Sequence, residues 1–393
     1  MIAILLAAPG LTQEPDLVVA APARGVTVLR RCVDAVDLLA AAAADPQAHV
    51  VVSATLPRLS GDAVERMGGP HRVVGLCDND VDERRLHELG AGTVVRVADT
   101  AGGTVQRLAA ACSPGEQGPG GVWTTTPSLA DRTPDHGPSG RVVAVWGPMG
   151  APGRTTVALG LAEVLAERGY RVCAVDADTY APSMALALGV VEDTSGLIVA
   201  CRQAESGVLT DGRLTGLTRR VGDGWHLLGG LPSVDRWPEL RATALDRVWA
   251  ACREEFDVVV VDIGFCLERD DTGAWARQRN AAALTALAAA DHVVAVADAS
   301  PTGVVRLAAA WPALETAVTG APVTVVRNRG SGRDREWSRV AAACGVRAPV
   351  HDVPSDPRRV GRSWARGLSL REGARRSPVR GALAEVSRSV VAG

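Results

Sequence analysis

The chain has 393 residues, of which 47% are hydrophobic and 22% charged, and its net charge is −2. This length predicts two or three domains, and the composition is ordinary for a globular protein with a large core. No run approaches the roughly 18 apolar residues of a membrane helix, which predicts a protein without a transmembrane segment.

The charge is unevenly placed along the chain. Residues 327–393 hold 15 arginines and six acidic residues, so this segment carries +9 and the remainder −11. Such a segment could meet nucleic acid, acidic lipid or an acidic protein, although a solvated arginine-rich surface is the simpler explanation.

Two features predict a cytoplasmic protein. Residues Met1 to Ala8 are apolar but no positively charged region precedes them, so a first β-strand is favoured over a signal peptide. The eight cysteines form no CxxC pair and most lie in apolar runs, as expected for thiols in a reducing compartment.

Residues 1–112 alternate short apolar segments with helical ones, which predicts a parallel sheet covered on both faces. The predicted strands are Ile2–Ala7, Val26–Leu29, Val50–Ser53, Val73–Cys77 and Thr93–Val97, and the clearest helices are Val33–Ala44 and Asp82–Leu89. Residues 113–140 interrupt this pattern. Because 18 of these 28 residues are Gly, Pro, Ser or Thr, we predict a flexible linker.

Residues 141–393 resume the alternation with longer elements and form the predicted second domain. The predicted strands are Val142–Trp146, Val172–Val175, Trp225–Leu228, Val258–Asp262, His292–Val296 and Val323–Arg327, and the clearest helices are Thr155–Arg168 and Ala281–Ala290. The fold class is therefore α/β with a mostly parallel sheet in this domain.

A glycine- and proline-rich loop follows the first strand of the second domain and leads into a helix. It reads Gly-Pro-Met-Gly-Ala-Pro-Gly-Arg-Thr-Thr from Gly147 to Thr156. A strand, a loop of this kind and a helix N-terminus are the context in which a P-loop cradles phosphate. The candidate nucleotide-binding residues in the loop are Gly150, Ala151, Pro152, Gly153, Arg154, Thr155 and Thr156.

Acidic residues follow two of the predicted strands. Asp176 and Asp178 end the strand that begins at Val172, and Asp262 ends the strand that begins at Val258. Thr155 and Asp262 are the candidate Mg²⁺ ligands, because magnesium at a P-loop is held by few protein oxygens beside phosphate and water.

The loop and these carboxylates, in this order, resemble the MinD/ParA superfamily of P-loop ATPases, whose loop reads Lys-Gly-Gly-x-Gly-Lys-Thr-Thr. The resemblance implies that Arg154 contacts the β- and γ-phosphates and that Asp178 orients the attacking water, which makes both the candidate catalytic residues. It also implies ATP and Mg²⁺ as cofactors. Asn328 resembles a residue that the family places beside adenine.

The loop departs from the family pattern at three positions. Arg154 stands at the P-loop lysine, Ala151 at a glycine, and Met149 at the signature lysine that crosses the dimer interface in the family. Arginine keeps the charge but has a wider, planar head, so we expect phosphate binding to survive and hydrolysis to be slow or absent. Methionine supplies no cation, so the homodimer implied by the resemblance stays an open question.

The first domain resembles a response-regulator receiver, a flavodoxin-like fold. The segment from Val50 to Gly61 looks like the third strand and loop of a receiver, whose phosphorylated aspartate stands four residues before Pro57, where this chain has Ser53. The resemblance implies a pseudo-receiver that serves protein contact. A small α/β domain of another kind is the alternative.

A pseudo-receiver, a flexible linker and an altered MinD/ParA domain together resemble the CpaE/TadZ branch of the superfamily. That resemblance implies a positioning factor that marks a cell site for septum placement or Flp/Tad pilus assembly, recruited to a pole or septum by protein partners. Three alternatives stay open: a ParA-type partitioning ATPase that binds DNA, a metabolic ligase of the superfamily, and a pseudo-ATPase interaction scaffold. The +9 segment gives the DNA-binding alternative its support.

Overall fold

The computed structural model describes residues 2–112, 140–150, 153–190, 194–209, 212–269, 277–330 and 335–391. The predicted linker lies outside these ranges except for its last residue, and so do Ala151 and Pro152. The chain divides into two compact units, Met1–Gly137 with Gln203–Val208, and Pro138–Arg202 with Leu209–Gly393.

The first unit is built on five strands, each followed by a helix. Its elements are β1 (Ile2–Ala7), α1 (Glu14–Ala20), β2 (Val26–Arg31), α2 (Ala35–Ala44), β3 (His49–Ser53), α3 (Gly61–Arg66), β4 (Val73–Cys77), α4 (Asp80–Glu88), β5 (Thr93–Arg96) and α5 (Ala101–Ala111). Asp34 is the N-cap of α2, and its carboxylate accepts hydrogen bonds from the N–H groups of Val36 and Asp37.

All five strands are parallel, in the order β2-β1-β3-β4-β5. This is the strand order of flavodoxin-like doubly wound domains, which confirms the predicted fold class of the first unit. Alternate residues of β1 enter two different cores: Leu5 and Ala7 pack on one face of the sheet, Ile4 and Leu6 on the other. A strand buried on both faces reads as a continuous apolar run, and this is why the sequence predicted it.

The second unit contains a larger sheet with helices on its faces. Its elements are β6 (Arg141–Trp146), α6 (Arg154–Glu167), β7 (Val172–Ala177), α7 (Met184–Ala187), α8 (Gly196–Glu205), β8 (Arg219–Gly222), β9 (Trp225–Leu228), α9 (Ala242–Glu255), β10 (Val258–Ile263), α10 (Ala281–Ala288), β11 (His292–Asp298), α11 (Pro301–Ala317), β12 (Val323–Gly330), α12 (Arg335–Ala343), β13 (Val350–Pro354), α13 (Pro357–Trp364), α14 (Leu370–Gly373) and α15 (Pro378–Val391).

The strand order in this sheet is β13-β12-β11-β6-β10-β7-β9-β8, and only β8 runs antiparallel to its neighbour. The register aligns Asp262 of β10 with Asp176 of β7 on one side and with Val145 of β6 on the other. The loop after β6 therefore lies beside both carboxylates, at the carboxyl ends of the central strands. This is the edge at which open α/β sheets bind ligands.

The strands match the sequence predictions to within a few residues, except that the two edge strands of the second sheet were missed. Strand β8 was not predicted, because Arg219-Arg220-Val-Gly contains no apolar run. Strand β13 was not predicted as a strand either, and its first residue, Val350, is exposed. Among the helices that the structure describes, none is long and apolar enough to cross a membrane.

Candidate nucleotide site

The loop between β6 and α6 depends on two glycines with left-handed backbone, Gly150 (φ 69°) and Gly153 (φ 95°). A Cβ atom on Gly153 would clash with the side-chain amide nitrogen of Asn328, and one on Gly150 would clash with Nη1 of Arg306. Both positions favour glycine because of their left-handed backbone, and at Gly153 the side chain of Asn328 also limits the space. The predicted binding residue Asn328 lies against this loop, at the end of β12.

Helix α6 begins at Arg154, one residue earlier than predicted, because Gly153 serves as its N-cap. Glycine brings no side-chain oxygen to the cap, and no side chain caps this end of the helix. The N–H groups of the first turn, which includes Thr155 and Thr156, are thus available to an acceptor outside the helix. Together with the helix dipole they favour an anion at this position.

The two predicted metal ligands are in direct contact. Thr155 Oγ1 donates a hydrogen bond of 2.6 Å to Asp262 Oδ2 and lies 3.1 Å from Oγ of Ser183. The other carboxylate oxygen of Asp262, Oδ1, is buried and has no hydrogen-bond partner among the residues that the structure describes. Burial, and after it the nearby Asp176 carboxylate, raise the pKa of Asp262 from 3.8 to about 8.

The Asp176 carboxylate organises the segment that follows β7. Its Oδ2 atom accepts hydrogen bonds from the N–H groups of Ser183 (2.8 Å) and Met184 (2.9 Å), which fixes Ser183 beside Thr155. Burial raises the pKa of Asp176 to about 6. The sequence identified Asp176 only as part of an Asp-x-Asp pair, and this positioning role was missed.

The two candidate catalytic residues are bonded to each other. Arg154 Nη2 lies 2.8 Å from Asp178 Oδ2, and Nη1 of the same guanidinium donates to the carbonyl oxygen of Gly147 at 3.1 Å. The second oxygen of Asp178 accepts from the N–H groups of Tyr180 (2.8 Å) and Ala181 (3.1 Å). In this conformation the Arg154 guanidinium forms an ion pair with the Asp178 carboxylate.

The donor set fits magnesium bound with a phosphate ligand. Thr155 and Asp262 offer hard oxygen atoms, which magnesium prefers, and the partnerless Oδ1 of Asp262 is placed to accept a cation. In the described ranges, no cluster of three or more His, Cys, Asp or Glu side chains could hold a metal by itself. Phosphate and water would therefore have to complete the coordination shell, as is usual for magnesium at a P-loop.

Comparison with known families agrees with this geometry. Residues 143–333 match the family model described as the CobQ/CobB/MinD/ParA nucleotide binding domain. This part of the chain is a MinD/ParA-type nucleotide-binding domain. The matched range includes the loop, the Asp-x-Asp segment, Asp262 and Asn328.

Solved structures share the fold of the MinD/ParA-type domain. The cell division ATPase MinD of Pyrococcus furiosus is 20% identical, with a TM-score of 0.51 over 64% of this chain and 98% of that chain. A ParA family ATPase from Chlorobium tepidum TLS is 16% identical, with a TM-score of 0.53 over 63% of this chain and 98% of that chain. A comparison with curated proteins gave no match.

The structure brings most of the predicted residues of the MinD/ParA-type domain to one place. Gly150, Gly153, Arg154, Thr155 and Thr156 lie on the loop and the first turn of α6, Asp178 and Asp262 beside them, and Asn328 against the loop. Met149, at the family's signature-lysine position, is 64% exposed. Sequence reasoning missed Arg306, which lies on α11, far along the chain from the loop, with its guanidinium close to Gly150.

Proposed function

We propose that the MinD/ParA-type domain binds Mg-ATP and uses it as a conformational ligand in a positioning factor. The protein would mark a cell site for septum placement or Flp/Tad pilus assembly, as the resemblance to the CpaE/TadZ branch suggests. The observation that carries the proposal is the contact of 2.6 Å between Thr155 and Asp262 at the start of α6, beside a buried carboxylate oxygen with no partner.

Each part of the ligand has a counterpart among the residues around the loop. The N–H groups at the start of α6 would receive the phosphates, and Arg154 would add a cation once it leaves Asp178. Thr155 and Asp262 would hold Mg²⁺, which when bound offsets charge on the phosphate oxygens. Asn328, on the far side of Gly153, would lie toward the base.

The hydrogen bonds of Asp178 argue for slow hydrolysis. Its carboxylate already accepts bonds from Arg154 and from the N–H groups of Tyr180 and Ala181. To orient a water molecule, Asp178 would have to exchange at least one of these donors for it. We therefore expect turnover well below about 1 s⁻¹, the lower end of ordinary enzyme rates.

A positioning role needs a link between the ligand and a protein surface. Residues 178–184 supply a candidate, because this segment is held at one end by Asp178 and at the other by the bonds of Asp176 to Ser183 and Met184. A ligand that takes Arg154 from Asp178 would favour a different arrangement of the segment. Such a difference between two states is what lets a ligand bias partner binding.

The protein partners would be components of the division machinery or of a pilus or secretion assembly. The first unit is proposed as their docking domain, in keeping with its receiver-like strand order. In this unit Ser53 is 1% exposed, and its hydroxyl donates to the carbonyl oxygen of Pro9 at 3.3 Å.

Calorimetric titration of the full chain with Mg-ATP tests the proposal. We expect binding in the presence of Mg²⁺, and a loss of about tenfold or more in affinity for Thr155→Val, which keeps the side-chain shape but removes the oxygen ligand. Thr319→Val, on an exposed loop residue, is the matched control and should bind as the wild type does. Arg154→Ala should weaken binding as well.

The outcomes of this titration separate cleanly. Absence of binding by the wild-type chain would remove the ATP switch and favour an interaction scaffold with the P-loop fold. Equal affinity of wild type and Thr155→Val, with and without EDTA, would show that the nucleotide binds without Mg²⁺ held by Thr155 and Asp262. Phosphate release measured in the same samples gives the turnover.

DNA partitioning is the second candidate function, and one surface favours it. Five exposed arginines on and after α13 form no ion pair within the described part of the chain: Arg358, Arg362, Arg366, Arg375 and Arg376. Exposed arginines without ion pairs, such as Arg358 and Arg362 one turn apart on α13, are what a phosphate backbone would contact.

A further inference from the structure

A cleft of about 250 Å³ opens beside the loop, on the side away from Asp262. It lies at the carboxyl ends of β6, β11 and β12, and its lining includes Met149, Gly150, Asp298, Arg306 and Arg329. The chain leaves β6 toward β7 on one side and returns through β11 on the other, so the cleft sits where the strand order reverses. In open α/β sheets this position is the usual place for a ligand.

Arg306 is the feature of this cleft that the proposed function leaves unexplained. It lies on α11 with its guanidinium close to Gly150, in space that a Cβ atom on that residue would enter. Arg306 is exposed and makes no hydrogen bond or ion pair with any residue that the structure describes. A cation thus lies beside the phosphate loop without an ion pair to any described residue.

A second arginine, Arg329, lines the same cleft, and its backbone is strained. Arg329 has φ of 61°, a left-handed conformation that is unfavourable for a residue with a side chain, and it lies at a register shift between β12 and β13. Such outliers persist where the surrounding structure requires them and cluster at ligand sites. The cleft's one carboxylate, Asp298, accepts a hydrogen bond of 2.9 Å from the N–H of Ser300.

The charges on the other side of the loop show why a further cation is needed. Asp176, Asp178 and Asp262 are all nearly completely buried there, and Arg154 is bonded to one of them. Met149 adds no charge. A bound triphosphate would meet the metal from the side of β10. Among the charged side chains that the structure describes in the cleft toward β11, it would face two arginines, Arg306 and Arg329, and one carboxylate, Asp298.

We infer that Arg306 binds the terminal phosphate of the nucleoside triphosphate, as a cation supplied within the same chain. The inference rests on the proposed function, because it assumes that the loop holds a nucleotide. Gly150 lies three residues before Gly153, the cap of α6, so a guanidinium beside Gly150 would meet a different part of the phosphate chain from the first turn of α6, and we assign that part to the terminal phosphate. A planar guanidinium can give two parallel hydrogen bonds to one phosphate group.

The test compares two ligands on the full-length chain. Calorimetry in Mg²⁺ measures the affinities for a non-hydrolysable ATP analogue and for ADP. For Arg306→Ala we expect about tenfold weaker binding of the ATP analogue and unchanged binding of ADP, since only the analogue has the third phosphate. Arg306→Lys should keep part of the preference, and Arg154→Ala should weaken both ligands.

Arg347→Ala is the matched control, because Arg347 is also exposed and has no ion pair among the described residues. It should leave both affinities unchanged, and thermal unfolding should show that each variant folds. Unchanged binding of the ATP analogue by Arg306→Ala, or equal loss for the two ligands, would overturn the inference while the proposed function stands. Failure of the wild type to bind either nucleotide would remove the proposed function itself.

Discussion

The Asp262 carboxyl lies in surroundings that oppose its charge. It is 1% exposed, faces the Asp176 carboxylate across the strand pair, and keeps one oxygen without a hydrogen bond. A buried charge without a partner destabilises the fold. Groups of this kind persist at functional sites, where a ligand supplies the missing partner.

This conflict predicts opposite effects of Asp262→Asn on stability and on binding. Asparagine keeps the size and can still accept the hydrogen bond from Thr155, but it removes the buried charge. In EDTA at pH 8 we expect the free energy of unfolding by urea to rise by about 1–2 kcal/mol, while Mg²⁺-dependent ATP binding is lost.

Asp223→Asn is the control for this experiment, since the Asp223 side chain is 89% exposed and its pair with Arg220 contributes little. A loss of stability for Asp262→Asn in EDTA would mean that the charge of Asp262 is compensated in the folded state. That result would contradict the account of this carboxyl given above.

At the residue scale the sequence predicted the contents of the site but not its bonding. Thr155 and Asp262 could be paired in advance, because loops and strand ends of a parallel sheet meet at one edge. The bond between Arg154 and Asp178 could not, because it depends on a side-chain conformation that no spacing encodes. Arg306 could not either, since an exposed arginine in a helix resembles every other one.

At the scale of elements, the start of α6 concentrates the requirements of the site. Gly153 must adopt a left-handed backbone, end the loop, cap the helix and leave room for Asn328. From Val157 to Leu165 every residue of α6 is buried, and Gly160 lies close to Leu383 of α15. The helix is thus fixed along its length, so the first turn cannot shift to accommodate a larger residue at the cap.

Gly153→Ala and Gly169→Ala form a matched pair that separates strain from contact. Both glycines have nearly the same backbone (φ 95° and 93°), but a Cβ on Gly169 would meet no atom within 4 Å. We expect Gly169→Ala to cost about 1 kcal/mol of unfolding free energy, from backbone strain alone, and Gly153→Ala to cost roughly 1–3 kcal/mol more.

Only Gly153→Ala should also weaken Mg-ATP binding, because only that substitution displaces Asn328. Urea unfolding and calorimetry on the two variants give both quantities. Equal costs for the two substitutions would show that Asn328 moves aside freely, and its assignment to the base side of the site would lose support.

The strands that are buried on both faces of a sheet were predicted most accurately. Strands such as β4 and β10, buried on both faces, were predicted to within a residue or two. The strands β8 and β13 at the sheet edges carry exposed arginine or valine and no clear period, so propensity alone could not distinguish them from loops.

At the scale of the whole molecule, the two sheets have separate hydrophobic cores, and the charge is unevenly divided along the chain. The family match and the similar structures concern the second unit, so the identity of the first rests on its strand order. The +9 segment contains β13 and helices α13 to α15, and it decides between the two candidate functions.

Binding of duplex DNA over a range of salt concentrations makes that decision. For a positioning factor we expect binding only at low salt, with affinity falling by about 10³ or more between 50 and 200 mM salt if several phosphates are contacted. The double variant Arg358→Ala/Arg362→Ala should reduce the slope of log affinity against log salt by about 2. Tight binding that persists at 200 mM salt and rises with Mg-ATP would favour DNA partitioning instead.

If Arg154 binds phosphate as proposed, its bond to Asp178 competes with the incoming phosphate. A tethered competitor acts at a constant local concentration, so the measured dissociation constant equals the intrinsic one divided by the fraction of molecules in which the arginine is free. Each tenfold reduction in that fraction takes about 1.4 kcal/mol from the affinity. Under this proposal, the same free energy would favour a different arrangement of the segment anchored by Asp178. Weaker nucleotide binding would therefore accompany a larger change in that segment. A nucleotide that bound without displacing Arg154 from Asp178 would bind more tightly, but it would not change the arrangement of residues 178–184.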